Sequence, residues 1–303
     1  MQPLHSLRSS RYVPTRVESV VFVSGVASMG LEIVAGRQLA PTFGSSVFTW
    51  GSIIGVFLAA LALGYWVAGR RAEGRASEGA LAAVLVGAAM YVAFILVIGE
   101  PFLVAVEDLA LPPRIAPVVP ITVLFGPPTV LLGFISPYGA ELVDAKSTGD
   151  ASGRVYALGT AGSIVGAFAT TFLLIPEFGV IGIEFAYGLL LLCTALVITP
   201  REATYMWGAI LVVGIGLGVG LYASGIGVSI GGETIQQTET QYQQLQVVDQ
   251  ENIRTLYLDN VPHSAMYLDQ PDRYVFEYTR YFHLAMLATD DDVDRVLFVG
   301  GGG

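Results

Sequence analysis

The last eight residues join an apolar run to a glycine cluster, Val296-Leu-Phe-Val-Gly-Gly-Gly-Gly303. A buried strand that opens into a glycine-rich turn is typical of nucleotide-binding α/β domains, because glycine lets backbone N–H groups approach a ligand closely. We therefore predict that Gly300, Gly301 and Gly302 bind a nucleotide-like cofactor; a glycine-rich linker is the alternative. The catalytic residues are expected beyond Gly303, so the chain is expected to be a truncated fragment that is inactive alone.

Charged side chains inside apolar stretches form a second group that could do chemistry. Burying an unpaired charge in a bilayer is expensive, so intramembrane ionisable residues are functional or structural by default. We predict a role in substrate handling or proton movement for Glu32, with packing or interhelical hydrogen bonding as the alternative, and a functional or structural role for Arg37, Glu141 and Glu184. An interfacial Arg37 can also extend its charge to the membrane surface.

The composition is that of a membrane protein. Of the 303 residues, 53% are hydrophobic and only 13% are charged, which is too apolar for an ordinary soluble domain. Apolar runs close to the ~20 residues that cross a bilayer predict a lipid-embedded domain over residues 17–228, after a cytosolic tail over residues 1–16. About seven spans are predicted, at Val17 to Ala35, Val47 to Val67, Leu81 to Ile98, Ile115 to Tyr138, Val155 to Ile175, Val180 to Ile198 and Met206 to Tyr222.

Basic residues predict the orientation of these spans. Segments on the side of the N-terminus hold nine of them, against Arg37 and Arg114 on the other side, so the N-terminus is expected inside. Seven crossings would then put the soluble tail outside the cell, away from a cytosolic cofactor. We therefore expect a cytosolic tail and an even number of crossings, with an extra pass or re-entrant turn between Pro101 and Pro137. Pro127, Pro128 and Pro137 are expected to break or kink the fourth span.

Two stretches 111 residues apart resemble each other, Gly51-Ser-Ile-Ile-Gly-Val-Phe-Leu-Ala59 and Gly162-Ser-Ile-Val-Gly-Ala-Phe-Ala-Thr170. Both contain Gly-x-x-x-Gly, which lets helix backbones approach closely. The match predicts that span two repeats as span five, and the positions of Glu32 and Glu141 extend it to spans one and four. Chance similarity between small-residue packing motifs is the alternative.

The soluble tail is strongly acidic, and this limits its partners. Residues from Gly232 onward hold 4 basic and 12 acidic residues, and the chain holds only one lysine, Lys146. Such a surface predicts adaptation to high salt, although a genome that favours arginine would also lack lysine. It is expected to repel nucleic acid. A lone Cys193 and three scattered histidines predict neither disulfides nor a metal site.

Period-two alternation in the tail predicts a small antiparallel sheet. It is present in Tyr242 to Val248 and in Arg254 to Leu258, with Asp259-Asn260 as turn residues. A helix is expected over Tyr274 to Ala288, followed by an acidic loop and the first buried strand of an α/β domain at Val296 to Val299.

This series resembles the spermidine synthase (polyamine aminopropyltransferase) family, in particular its membrane-fused members. The matching tail residues are Tyr242-Gln243, Leu258-Asp259, Asp272 to Glu277 and Arg295 to Gly302. The membrane half matches at Ser24-Gly25, Glu32, Arg37 to Ala40, Phe43 to Ser45 and Leu61 to Gly64. Asn260, His263 and the pair Phe276-Glu277 depart from the family's pattern.

The resemblance implies a β lead-in and the start of a methyltransferase-like α/β domain within residues 233–303. It implies aminopropyl transfer from decarboxylated S-adenosylmethionine to a small polyamine. Gln243 and His263 are then expected to contact the cofactor, and Glu277 to pair with the cationic amine. The alternatives are a membrane transporter or sensor with a regulatory domain, and a methyltransferase that uses S-adenosylmethionine. The oligomeric state is left open.

Overall fold

A computed structural model describes residues 15–143, 147–199, 208, 214–215, 218, 233–240, 243–258 and 261–283. The described part is mostly helical. Six long apolar helices come first, and a small four-stranded antiparallel sheet follows. The glycine cluster and the predicted α/β strand before it lie outside the described residues.

Each of the six helices is long and apolar enough to cross a bilayer. The shortest has 19 residues, which extend roughly 28 Å at 1.5 Å per residue. The six coincide with the first six predicted spans, whereas Met206 to Tyr222 falls largely outside the described residues. The helices are α1 (Arg16–Phe43), α2 (Val47–Ala72), α3 (Glu78–Asp108), α4 (Val118–Leu142), α5 (Thr148–Glu177) and α6 (Val180–Ile198).

Side-chain caps mark the starts of the helices, and short connections set the relative directions of consecutive helices. Thr15, Ser46, Ser77 and Ser147 each accept a hydrogen bond from the backbone N–H three residues on, which satisfies a free donor at a helix start. Because the connections are short, consecutive helices run in opposite directions. We call the end where α1, α3 and α5 begin the proximal end, and the end where they finish the distal end.

The prolines of the fourth span do not break it. Helix α4 continues through Pro127, Pro128 and Pro137, and a five-residue π-helical segment at Ile121–Phe125 precedes the first two. Prolines at 127 and 128 cannot donate to the carbonyls of residues 123 and 124, which is where the widened turn lies. The Val123 carbonyl instead accepts from the Tyr91 hydroxyl of α3 at 2.7 Å.

The expected extra pass or re-entrant turn is therefore wrong for this segment. Helix α3 also continues through Pro101 and ends at Asp108. A short turn region follows, and α4 begins at Val118. Neighbouring helices and a local π turn accommodate these prolines without interrupting the crossing.

Helix pairing relates the two halves of the bundle. The most extensive interfaces are α1 with α5, α2 with α4, and α3 with α6, followed by α3 with α4 and α1 with α6. If α1, α2 and α3 are exchanged with α4, α5 and α6 in that order, the same set of interfaces results. Because each half has three crossings, the two halves have opposite directions, which is the pattern of an inverted repeat.

The two Gly-x-x-x-Gly motifs behave differently. A Cβ added at Gly162 or Gly166 would overlap the backbone of Phe22 or Val26 on α1, so this motif packs as predicted. Gly51 and Gly55 face open space, and the predicted packing role is wrong for them. The close contact between α2 and α4 is made by Gly64 and Gly133.

The tail forms one antiparallel sheet in the order β1 (Glu233–Glu239), β2 (Gln244–Gln250), β3 (Ile253–Leu258) and β4 (Val261–Tyr267). The predicted sheet is thus confirmed. Asp249 on β2 lies opposite Arg254 on β3, and the guanidinium donates two hydrogen bonds of 2.7 Å to this carboxylate.

The helix predicted over Tyr274 to Ala288 differs in its described part. Tyr274 forms a β-bridge with Met266, and the following helix is a 3-10 helix at Glu277–His283. Residues from 284 onward lie outside the described part. Because the bridge holds Tyr274 in extended backbone, the helix begins at Glu277, three residues later than predicted.

Candidate functional site

The sheet brings the two predicted cofactor residues of the tail to one end. Gln243 directly precedes β2, and His263 is the third residue of β4. Leu245 pairs with Leu258, and Leu258 pairs with Val261, so β3 lies between them in register. Gln243 lies two residues outside this row, His263 lies two residues into β4 from it, and both are exposed.

His263 occupies a β-bulge. Leu256 pairs with Ser264 and Tyr257 with Pro262, which leaves His263 as the extra residue of β4. A bulge redirects the side chain and bends the strand, and bulges are common beside active sites. The imidazole therefore has an orientation that a regular strand would not provide.

Thr240 anchors Gln243 through the β1–β2 turn. Its backbone N–H donates to the Gln243 carbonyl at 3.0 Å, and its hydroxyl donates to the same carbonyl at 2.7 Å. The Gln243 N–H donates back to the Thr240 hydroxyl oxygen at 3.0 Å. The position of the Gln243 backbone thus depends on Thr240.

Arg37 joins this turn to the helical bundle. Its guanidinium donates a 2.7 Å hydrogen bond to the Thr240 carbonyl oxygen. Arg37 lies six residues before the end of α1, so the Gln243 end of the sheet rests at the distal end of the bundle. One of the predicted intramembrane residues therefore contacts the predicted cofactor side of the sheet.

Glu277 is not grouped with these residues. It is exposed at the start of the 3-10 helix. Among the described residues, no hydrogen bond or ion pair joins it to Gln243 or His263. The neighbouring Phe276 ring stacks on Tyr278 with centroids 5.7 Å apart, which accounts for Phe276 by packing.

The three predicted intramembrane carboxylates have different surroundings. Glu32 is half-buried on α1, and Glu141 is exposed one residue before the proximal end of α4. Glu184 on α6 is buried, with 1% of its surface exposed, and neither of its oxygens has a hydrogen-bond partner. Of these three, Glu184 alone is fully enclosed.

Hydroxyl groups surround the next turn of the same helix. Tyr187, three residues after Glu184, shares its face of α6, and its hydroxyl lies 2.5 Å from the Thr170 hydroxyl of α5. A Cβ on Gly30 of α1 would overlap the Tyr187 phenol, so this glycine makes room for the ring. Helices α1, α5 and α6 therefore meet beside Glu184.

Sequence reasoning missed a buried carboxylate at the proximal end. Glu18 is fully buried, accepts from the Thr15 N–H at 2.7 Å and forms an ion pair with Arg154 of α5. The capping-box pattern Thr15-x-x-Glu18 was the available signal for the local half of this arrangement. Nothing in the local sequence pairs Glu18 with a residue 136 positions away.

Among the described tail carboxylates, Asp249 is the one whose pKa is shifted, and its role is structural. Hydrogen bonds from Arg254 lower the pKa of Asp249, and the pair's mutual attraction acts in the same direction. Both residues lie on regular strands, toward the opposite end of the sheet from Gln243. This pair stabilises the β2–β3 hairpin.

Comparisons of the chain with family models, curated proteins and solved structures give no match. Within the described residues there is also no group of three or more His, Cys, Asp or Glu side chains that could hold a metal ion. Gly300, Gly301 and Gly302 lie outside the described part.

Proposed function

We propose that the chain is a membrane-anchored, spermidine-synthase-like aminopropyltransferase. The observation that carries this proposal is the grouping of Gln243 and His263 at one end of a four-stranded antiparallel sheet that follows the apolar helices. In the reaction that the resemblance implies, a diamine nitrogen attacks the carbon beside the sulfonium of decarboxylated S-adenosylmethionine. A neutral thioether leaves, and the amine loses a proton.

The residues of this chain would bind and orient the reactants. The Gln243 amide and the His263 imidazole can both donate and accept hydrogen bonds, which suits the polar edge of a nucleoside. The glycine cluster at 300–303 would admit the cofactor close to the backbone. Glu277 would attract the cationic amine from a separate element.

Cofactor binding tests this proposal on the purified chain in detergent. We expect decarboxylated S-adenosylmethionine to bind, and Gln243→Ala to weaken binding about tenfold, which corresponds to ~1.4 kcal/mol. His263→Gln should bind at least as tightly, because it restores the family's residue. Gln250→Ala, at the other end of β2, is the matched control. Absence of binding, or equal effects of the Gln243 and Gln250 variants, would contradict the proposal.

A membrane transporter or sensor is the second candidate, and the exchangeable helix interfaces favour it. Inverted repeats of three crossings are common among transporters, with binding sites near the middle of the bilayer. The unpartnered Glu184 carboxylate lies in such a bundle. In this alternative the sheet would be a regulatory domain.

The side of the membrane on which the sheet lies separates the two candidates. The Arg37 contact puts the sheet at the distal end, opposite the N-terminus, which requires an odd number of crossings. Described positions 214 and 218 support a seventh crossing, because Gly214 and Gly218 are helical and pack against Leu192 and Phe185 of α6. These contacts favour an odd number of crossings over the expected even number.

Cysteine labelling in intact cells decides the orientation. Single cysteines at Ser9 and Thr238 are introduced in a Cys193→Ser background and treated with an impermeant reagent. We expect one to react and the other to be protected. Protection at Thr238 puts the sheet in the cytosol and supports the enzyme. Labelling at Thr238 with protection at Ser9 agrees with the arginine bias and supports the transporter or sensor. The same result at both positions would contradict the odd number of crossings.

A further inference from the structure

We propose that Glu184 is a ligand of a monovalent metal cation bound inside the helical bundle. Glu184 is buried and has no hydrogen-bond partner for either carboxylate oxygen. Leaving a buried carboxylate without a partner costs several kcal/mol by desolvation. The arrangement is therefore incomplete without a positive partner.

The polarity of the unpaired groups shows that the missing partner is a cation or a hydrogen-bond donor. In the described part of the chain, the buried side-chain atoms without a partner are Gln38 Oε1 and the two Glu184 oxygens, and all three are acceptors. An anion or a neutral acceptor would leave them unpaired. No described ion pair involves Glu184.

The next turn of α6 brings oxygen atoms of the kind that a hard metal ion binds. Tyr187 is one helical turn from Glu184, and its hydroxyl lies 2.5 Å from the Thr170 hydroxyl, which donates to the Gly166 carbonyl oxygen. Thr170 also begins the π-helical segment of α5 at Thr170–Leu174, and such segments are frequent at functional sites. Carboxylate, hydroxyl and carbonyl oxygens are the ligands of hard cations.

The charge of the site favours a monovalent ion. A described apolar cavity is lined by Phe185, Gly188 and Leu192 of α6, and Glu184 is not part of its lining. One carboxylate balances one positive charge, and no metal-binding group of three acidic, His or Cys residues surrounds it in the described part.

The position of Glu184 suits a site in the middle of the bundle. Gly30, which contacts Tyr187, is near the middle of the 28-residue helix α1. Glu184 lies three residues from Tyr187, or roughly 4.5 Å toward the distal end at 1.5 Å per residue. The site therefore lies where α1, from the first half, meets α5 and α6, from the second.

Thermal unfolding of the purified chain in detergent tests the site independently of cofactor binding by the sheet. N-methylglucamine chloride is replaced by NaCl or KCl at constant ionic strength and pH. We expect at least one of the two salts to raise Tm by about 5 °C when saturating. Glu184→Gln should abolish the rise, whereas Glu141→Gln, which changes an exposed carboxylate, should retain it.

A second variant covers the case in which Glu184→Gln does not fold. Thr170→Val removes one hydroxyl with little change of shape, and we expect the half-saturating salt concentration to rise about tenfold. Tyr156→Phe, on an exposed part of the same helix, should leave it unchanged. No Tm rise in either salt for the wild-type chain, or a rise that Glu184→Gln retains, would overturn the proposal. A Tm that responds to pH but not to the salts would assign a proton and also overturn it.

Discussion

Two buried carboxylates of the bundle show how differently one residue type can be accommodated. Glu18 is fully buried beside Arg154, which is 30% exposed, and the capping box holds the same carboxylate. Glu184 is equally buried without such a partner. Because a buried charge costs free energy according to what surrounds it, the first is structural and the second is the candidate for ligand binding.

We predict that Arg154→Leu lowers the free energy of unfolding by about 3 kcal/mol, because it leaves the Glu18 charge buried and unpaired. Combining it with Glu18→Gln should recover about half of the loss, since no charge is then stranded. Unfolding in mixed micelles of the two variants and the wild-type chain measures both effects. Additive losses in the double variant would show that the two residues act separately.

The Asp249–Arg254 pair predicts a pH dependence for the sheet. Hydrogen bonds from Arg254 lower the pKa of Asp249 in the folded state. Its stabilising effect is therefore present above the unfolded pKa and is lost as the pH falls below about 4. Hydrogen-exchange protection of β2 and β3 should fall over this range. Asp249→Asn should show reduced protection at pH 7 and remove that dependence, whereas Glu233→Gln on edge strand β1 should preserve it.

At the scale of whole elements, helix contacts distinguish two similar glycine motifs. Gly162→Ala should lower the free energy of unfolding by about 2 kcal/mol, because its new Cβ would overlap the Phe22 backbone. Gly51→Ala faces open space and should be neutral or stabilise by up to ~1 kcal/mol, since alanine favours the helix. Thermal unfolding of both variants measures the contrast. Equal destabilisation would indicate that Gly51 also packs against a partner.

At the scale of the whole molecule, neither half of the bundle has its main interfaces within itself. Helices α1, α2 and α3 make their most extensive contacts with α5, α4 and α6. We therefore predict that residues 1–112, which hold α1 to α3, or residues 113–303, produced alone, are degraded. Produced together, the two chains should copurify in detergent through a tag on one of them. Stable accumulation of residues 1–112 alone, with cooperative unfolding, would contradict this dependence.

The sequence by itself determined the local elements of this protein. Runs of apolar residues predicted the first six helices, and alternation in Tyr242 to Val248 and in Arg254 to Leu258 predicted two strands. The structure has these strands at Gln244–Gln250 and Ile253–Leu258, because both patterns depend on neighbours in the chain. Proline positions, which predicted a break or a kink, located the irregular part of α4, where the structure has a π-helical segment. Local pattern also placed Glu184 inside an apolar helix.

Only the tertiary structure decided which of these residues act together. Gly162 and Gly51 have nearly the same neighbours in sequence, yet just one meets another backbone. Arg37 reaches Thr240 across 203 residues, and this contact places the sheet at the distal end. Similarly, Glu18 forms an ion pair with Arg154, whereas no ion pair among the described residues involves Glu184. Such outcomes depend on contacts between distant segments, and packing sets these contacts through shape and charge that no local pattern contains.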